Sequence, residues 1–144
     1  MKIVLDTNLL VSGIFWRGTP SKILDLWTQD KITFCVSEDI LDEYLEVIQR
    51  LQKKYGTPKD VNWYTLVQEK TIIFMVDSTR EYSRDPDDDK FIHCALASKA
   101  IYIVSGDQDL LVLEKVDNVD IITASEFLER YERLMASRSA RPLG

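Results

Sequence analysis

Acidic side chains are unevenly placed along this sequence. Asp85, Asp87, Asp88 and Asp89 crowd one short segment, Glu38, Asp39, Asp42, Glu43 and Glu46 another, while Asp6, Asp107 and Asp109 follow apolar runs. Most acids on a protein surface are solvated or serve helix ends. A set that converges must do something else, because unit charges about 4 Å apart repel by roughly 4 kcal/mol per pair at an effective dielectric near 20. One shared proton suits a carboxyl dyad; four carboxylates call for a hard divalent cation with oxygen ligands, Mg²⁺ or Mn²⁺. The chemistry such a centre supports is activation of water and steadying of the leaving oxygen in phosphodiester hydrolysis.

Position selects which acids converge. Asp6 directly follows Ile3-Val4-Leu5, and Asp107 follows Ile101 to Val104 through Ser105 and Gly106. Both therefore sit past the carboxyl ends of strands, where ligands collect in open parallel sheets. Ser105 offers a hydroxyl and Gly106 conformational freedom for the turn. An Asx-type cap through Asp6 or Asn8, or an ordinary Gly-Asp turn at Asp107, is the structural alternative. In the helix after Ser37 the apolar face is Ile40, Leu41, Tyr44, Val47, Ile48 and Leu51; Glu43 lies on its rim, whereas Glu38, Asp42 and Glu46 point away. In the helix starting near Asp87, the face made by Phe91, Ile92, Ala95 and Leu96 projects back onto Asp88, with Asp89 as second choice and Asp87 on the opposite flank. The sole histidine, His93, falls on the outward side of that helix and reads as a surface residue.

The elements that must position these acids alternate. Short β-favouring runs at Ile3–Leu5, Ile32–Val36, Ile72–Val76, Ile101–Val104 and Ile121–Ile122 are separated by stretches with helical spacing, which predicts a parallel α/β sheet. Thr19-Pro20 opens one helix with Thr19 as cap, Ser37 caps the next, and Thr123-Ala-Ser-Glu126 has the capping-box pattern that launches a last helix. Gly56 and Pro58 mark a loop, followed by a helix around Asp60 to Glu69.

With 144 residues and 45% apolar content, one domain with a real core is expected. Its bounds are read as 1–136, with the small, basic stretch 137–144 as a disordered tail. No apolar run is long enough to span a bilayer and the start lacks a signal-peptide layout, so a cytoplasmic protein without membrane attachment is expected. Cys35 and Cys94 lie in apolar surroundings and read as buried thiols. Trp16 and Trp63 read as core, with a partner surface as the alternative. The net charge of −6 argues against a broad basic face. Setting the four site acids aside from the 24 leaves 20 against 18 basic residues, so most of the imbalance belongs to the site. Bound divalent ions would reverse that local charge and admit a polyanion. No P-loop, dinucleotide loop or nucleophile elbow competes with this reading.

The segments Ile-Val-Leu-Asp6-Thr7-Asn8, Ser37-Glu-Asp-Ile-Leu-Asp-Glu43, Asp85-Pro-Asp-Asp88-Asp-Lys-Phe-Ile-His-Cys-Ala95 and Ile-Val-Ser105-Gly-Asp107-Gln-Asp109-Leu together resemble a PIN domain, most closely the VapC-like toxins of toxin–antitoxin systems. The likeness runs from about Lys2 to about Arg130. It implies a three-layer α/β/α fold with a mainly parallel central sheet, Mg²⁺- or Mn²⁺-dependent endoribonuclease activity on RNA, homodimerisation, and inhibition by a cognate antitoxin. Mapped onto this chain, the catalytic and metal-holding acids fall on Asp6, Glu43, Asp88 and Asp107, with Asn8 and Ser105 as polar helpers. Asp89 competes with Asp88 for one role, and Asp109 with Asp107 for another.

Two other functions fit the acids less well. An aspartate-based phosphoacceptor or phosphatase wants a second Asp two positions after the first, where Asn8 stands, or an acidic pair near the start, where Thr7 follows Asp6. A non-catalytic PIN-like module that sequesters RNA or a partner is the other, with Arg138 and Arg141 as phosphate contacts.

Overall fold

The computed structural model describes residues 1–77 and 79–139. Strands β1 (Lys2–Leu5), β2 (Thr33–Val36), β3 (Thr71–Ile73), β4 (Tyr102–Val104), β5 (Lys115–Val116) and β6 (Val119–Ile122) form one sheet in the order β3-β2-β1-β4-β6-β5. All pairings are parallel except β5 with β6. Helices α1 (Thr7–Phe15), α2 (Thr19–Thr28), α3 (Glu38–Tyr55), α4 (Trp63–Lys70), α5 (Asp89–Ser98), α6 (Gln108–Leu111) and α7 (Ala124–Ser139) flank the sheet, giving the expected three-layer α/β/α arrangement.

Strands buried on both faces explain the continuous apolar runs. Ile3, Val4 and Leu5 of β1 and Phe34, Cys35 and Val36 of β2 have at most 1% exposure, as parallel strands covered by helices require. Chain order reverses at the centre of the sheet: β1 runs outward to β2 on one side, and β4 packs on its other side. That reversal opens a crevice at the carboxyl ends of β1 and β4, the place where such sheets receive ligands.

Several boundaries depart from the sequence reading. The chain folds directly from β1 into α1, because the Asp6 side chain accepts a hydrogen bond from the Asn8 N–H at 3.1 Å and starts a helix with no spacer. Gly18, not Thr19, is the N-cap residue of α2, so Thr19 is already helical. The region near Asp60 begins with a 3₁₀ turn (Pro58–Asp60), and α4 proper starts at Trp63, capped by Asn62. The strand expected over Ile72–Val76 is shorter, although the Phe74 N–H still donates to the Val36 carbonyl at 2.8 Å. The short strand β5 and the hairpin turn at Asp117, with φ of 51°, carry too few residues to show a period in sequence. Helix α7 continues to Ser139, past residue 136, so residues 137–139 belong to it; Arg141 and the rest of the proposed tail lie outside the described residues. Gly106 does not use a positive φ, and a Cβ there would meet nothing within 4 Å, so the turn before Asp107 does not depend on glycine. Gly13 is different: a Cβ would come within 2.9 Å of the Pro20 carbonyl oxygen, so this glycine lets α1 and α2 approach.

Ser37 caps α3 as expected, accepting from the Ile40 N–H at 3.3 Å, and Thr123 accepts from the Glu126 N–H at 3.2 Å. Both cysteines are buried free thiols. Trp63 is buried, whereas Trp16 is 51% exposed and packs against Phe15 and Tyr55. Among the described residues, no helix is long and apolar enough to cross a membrane.

One contact ties α3 to the sheet beside the crevice: the buried Tyr44 hydroxyl donates to the Leu5 carbonyl, one residue before Asp6. Tyr44→Phe removes that donor, and unfolding in urea is expected to show a loss of about 1–3 kcal/mol. An unchanged midpoint would mean that packing alone holds α3 in place.

Candidate active site

Each acid reaches the crevice by a different route. Asp6 leaves β1 and Asp107 leaves β4, two neighbouring strands of the sheet. Glu43 comes from α3, and Asp88 from a 3₁₀ turn (Pro86–Asp88) that leads into α5. Together they line a cleft of about 300 Å³, with Thr7, Asn8, Lys90 and Arg50 also on its walls. The structure thus brings together all four acids that the sequence picked out, plus Asn8. Ser105 lies beneath the cleft, fully buried.

Hydrogen bonds fix most of these groups. The Ser105 hydroxyl donates to Asp6 Oδ2 at 2.6 Å and accepts from the Asp107 N–H at 3.0 Å, so one hydroxyl orients both strand-end acids. Asp6 is also the cap of α1, and Asp107 caps α6 by accepting from the Asp109 N–H at 2.9 Å. The capping alternative therefore holds for both, and it does not displace the other role: each carboxylate oxygen can accept more than one partner. Glu43 takes a hydrogen bond from the Thr7 hydroxyl on Oε2 and an ion pair from Lys90 on Oε1 at 3.1 Å.

Asp88 differs from the rest. It is buried, and its Oδ2 has no hydrogen-bond partner among the described residues. Burial pushes its carboxyl up to about 7; the Asp107 charge, a hydrogen bond shared with Asp107, and then Asp85 and Asp6 add to the effect. Asp6 is raised as well, chiefly by burial, and its bonds from Ser105 and Asn8 only partly offset this. A buried oxygen without a donor, set among carboxylates, fits an oxygen-coordinated divalent cation, which would supply at Asp88 the positive charge that Lys90 brings only to Glu43.

The adjacent acids separate cleanly. Asp89 is buried facing the preceding loop, where its Oδ1 accepts from the N–H groups of Tyr82 (3.1 Å) and Ser83 (2.7 Å). That is a structural post, and Asp88, favoured by helical phase, is the acid on the cleft. Asp109 lies off the cleft and pairs with Arg84 at 2.7 Å. It nonetheless joins Asp85 and Asp88 in a group whose carboxylate oxygens lie within 4.8 Å of one another, close enough to hold a metal ion, a spacing that Asp6, Glu43 and Asp107 do not share with Asp88 as a set. Asp88 is common to both groupings. Asp85 accepts from the Asp87 N–H and Asp109 from Arg84, and within that trio the buried oxygen left without a partner among the described residues is on Asp88.

Glu46 and Asp87, read from phase as solvent-facing, are exposed but do line the outer cleft, and Glu46 pairs with Arg50 at 3.5 Å. His93 is half-buried: a ring nitrogen lies 2.6 Å from the Arg80 carbonyl oxygen and the ring meets Tyr82 edge-on, so it braces a loop. Thr7 and Lys90 were missed altogether. Thr7 directly follows Asp6, and Lys90 stands on the cleft side of α5 two residues after Asp88, which are the only signals the sequence offered.

The model of the PIN domain family matches residues 2–109, the span that carries all four acids. The chain is 33% identical to the uncharacterized protein MJ1680 of Methanocaldococcus jannaschii, over 94% of this chain and 95% of that protein. No solved structure matches the chain.

In the metal-free protein Asp88 keeps its proton to higher pH when folded than when unfolded. The folded state thus binds more protons between about pH 4 and 7, and Asp88's contribution to stability falls as pH rises through that window. At pH 8 with chelator, Asp88→Asn is expected to be more stable than wild type by about 1–3 kcal/mol, with the gap closing toward pH 4. Denaturation midpoints measured across pH check this; parallel profiles for the two proteins would contradict it.

Proposed function

Because the chain belongs to the PIN-domain family, whose members are generally metal-dependent nucleases, we propose that it is an endoribonuclease that hydrolyses RNA phosphodiesters with Mg²⁺ or Mn²⁺. The single observation that carries the reading is the unpartnered, buried Oδ2 of Asp88 in a cleft shared with Asp6, Glu43 and Asp107. When bound there, the divalent ion supplies a lowered pKa for water and charge stabilisation for the displaced oxygen.

The chain's own residues prepare for that chemistry. Ser105 and the Asn8 N–H hold the Asp6 carboxylate in one orientation, and the same Ser105 oxygen fixes the backbone of Asp107. Such preorganisation means that ligand oxygens need not be reoriented when the cation enters. Thr7 does the same for Glu43. Arg50, on the outer wall of the cleft, is placed to meet a phosphate diester approaching from the open side.

A toxin of the VapC-like kind, working as a homodimer restrained by an antitoxin, is the finer form of this proposal. Its support is the sequence likeness together with the exposed aromatic group of Trp16 and Tyr55, 51% and 55% exposed, which suits a protein partner. A cytoplasmic site of action belongs to the same proposal.

Incubation of the purified protein with single-stranded and structured RNA in Mn²⁺ is expected to yield cleavage that chelator abolishes. Asp6→Asn and Asp88→Asn should each reduce the rate by about a hundredfold or more while leaving far-UV circular dichroism unchanged. Equal cleavage by wild type and both variants would assign the activity to a contaminant.

A further inference from the structure

The acid cleft contains a cation of its own. Lys90 Nζ lies 3.1 Å from Glu43 Oε1 and donates to the Asp87 carbonyl at 2.8 Å. Its side chain is only 21% exposed, against 66% for Arg50, so the Lys90–Glu43 pair is partly shielded from water and from salt. Thr7 occupies the other Glu43 oxygen. Among the described residues, Glu43 is thus the one of the four cleft acids that takes an ion pair.

A second feature bears on what Lys90 can do. The residue forms part of the wall between two depressions: it lines the acid cleft and also a neighbouring groove that includes Glu38, Asp39 and His93. A flexible four-carbon stem at such a wall can carry its ammonium from one side to the other. Glu38 and Asp39, in the first turn of α3, provide negative charge on the far side.

From these positions we infer that Lys90 is an exchangeable counterion that competes with the divalent cation for Glu43 and so sets how tightly the site takes metal. The inference rests on the metal-dependent reading given above. An ammonium and a divalent ion cannot both sit against one carboxylate without strong mutual repulsion. With the site empty, Lys90 holds the Glu43 side chain in place on the cleft wall. Once Glu43 is shared with a divalent ion, Lys90 is released toward the Glu38 and Asp39 side. Lys90 is in this sense a positioning residue acting through Glu43. Its effect on metal affinity has the opposite sign from that of a residue that merely builds the site: removing a site-building residue loosens the ligands, whereas removing a competitor tightens binding.

Titration calorimetry with Mn²⁺ alone, on the full chain in low-salt buffer, tests this. Lys90→Met and Lys90→Gln are expected to bind Mn²⁺ more tightly than wild type, on the order of tenfold, while Lys90→Arg, which retains the charge, stays near wild type. In a Glu43→Gln background the Lys90→Met substitution should no longer change the affinity, since the pair through which it acts is gone. Unchanged or weaker Mn²⁺ binding by both neutral variants overturns the inference and leaves the nuclease reading standing. Tightening that persists undiminished in the Glu43→Gln background overturns the route through Glu43. If neither the wild type nor the Lys90 variants bind Mn²⁺, the metal-dependent reading itself fails and this inference falls with it.

Discussion

Like charges held close together in a partly buried cleft are the constraint around which this molecule is organised. The sheet order puts the carboxyl ends of β1 and β4 side by side, so Asp6 and Asp107 are neighbours however the loops run. Helix α3 and the turn before α5 then bring Glu43 and Asp88 into the same space. Beyond burial, Asp107 and Glu43 raise the cost of ionising Asp6, and Asp107, Asp85 and Asp6 that of ionising Asp88. The fold supplies donors: Ser105 for Asp6, Thr7 and Lys90 for Glu43, and the backbone at the start of α6 for Asp107. Asp88 is left with an oxygen that no donor among the described residues reaches. A protein selected only for stability would fill that gap with a donor or an apolar side chain.

The segment from Tyr82 to Asp89, with Asp109 beside it, shows how neighbouring acids are given different work by backbone geometry. Asp85 caps the 3₁₀ turn, Asp89 anchors the loop through two N–H groups, and Asp109, from across the chain, binds Arg84. These bonds hold the turn in the shape that aims Asp88 into the cleft. Loss of any of them would act on Asp88 indirectly, by loosening the segment that carries it.

Much of the site was legible because the relevant physics is local or periodic. An acid straight after an apolar strand is informative on its own, and helical phase alone separated Glu43 from Asp42, and Asp88 from Asp87. The misreadings share a cause. Helix α1 was hidden because Asp6 serves at once as strand end, helix cap and cleft acid, so no turn residues separate the two elements. Strand β5 and helix α6, of two and four residues, are too short for any pattern. Glu46 and Asp87 face away from the core of their own helices yet border the cleft, because a crevice between elements exposes rims that one helix's phase does not describe.

The sequence by itself determined the main strand runs, the caps at Ser37 and Thr123, the buried thiols and the candidates for the converging acids, with Asp88 against Asp89 and Asp107 against Asp109 left open. These follow from interactions within a few residues or from burial periods repeated along one element. Only the tertiary structure decided that Asp109 turns to Arg84, that Asp89 is a loop anchor, and that Lys90 reaches back to Glu43. Those pairings join groups whose separation in the chain carries no period. They are set by where the sheet places its strand ends, which the chain settles only once it has folded.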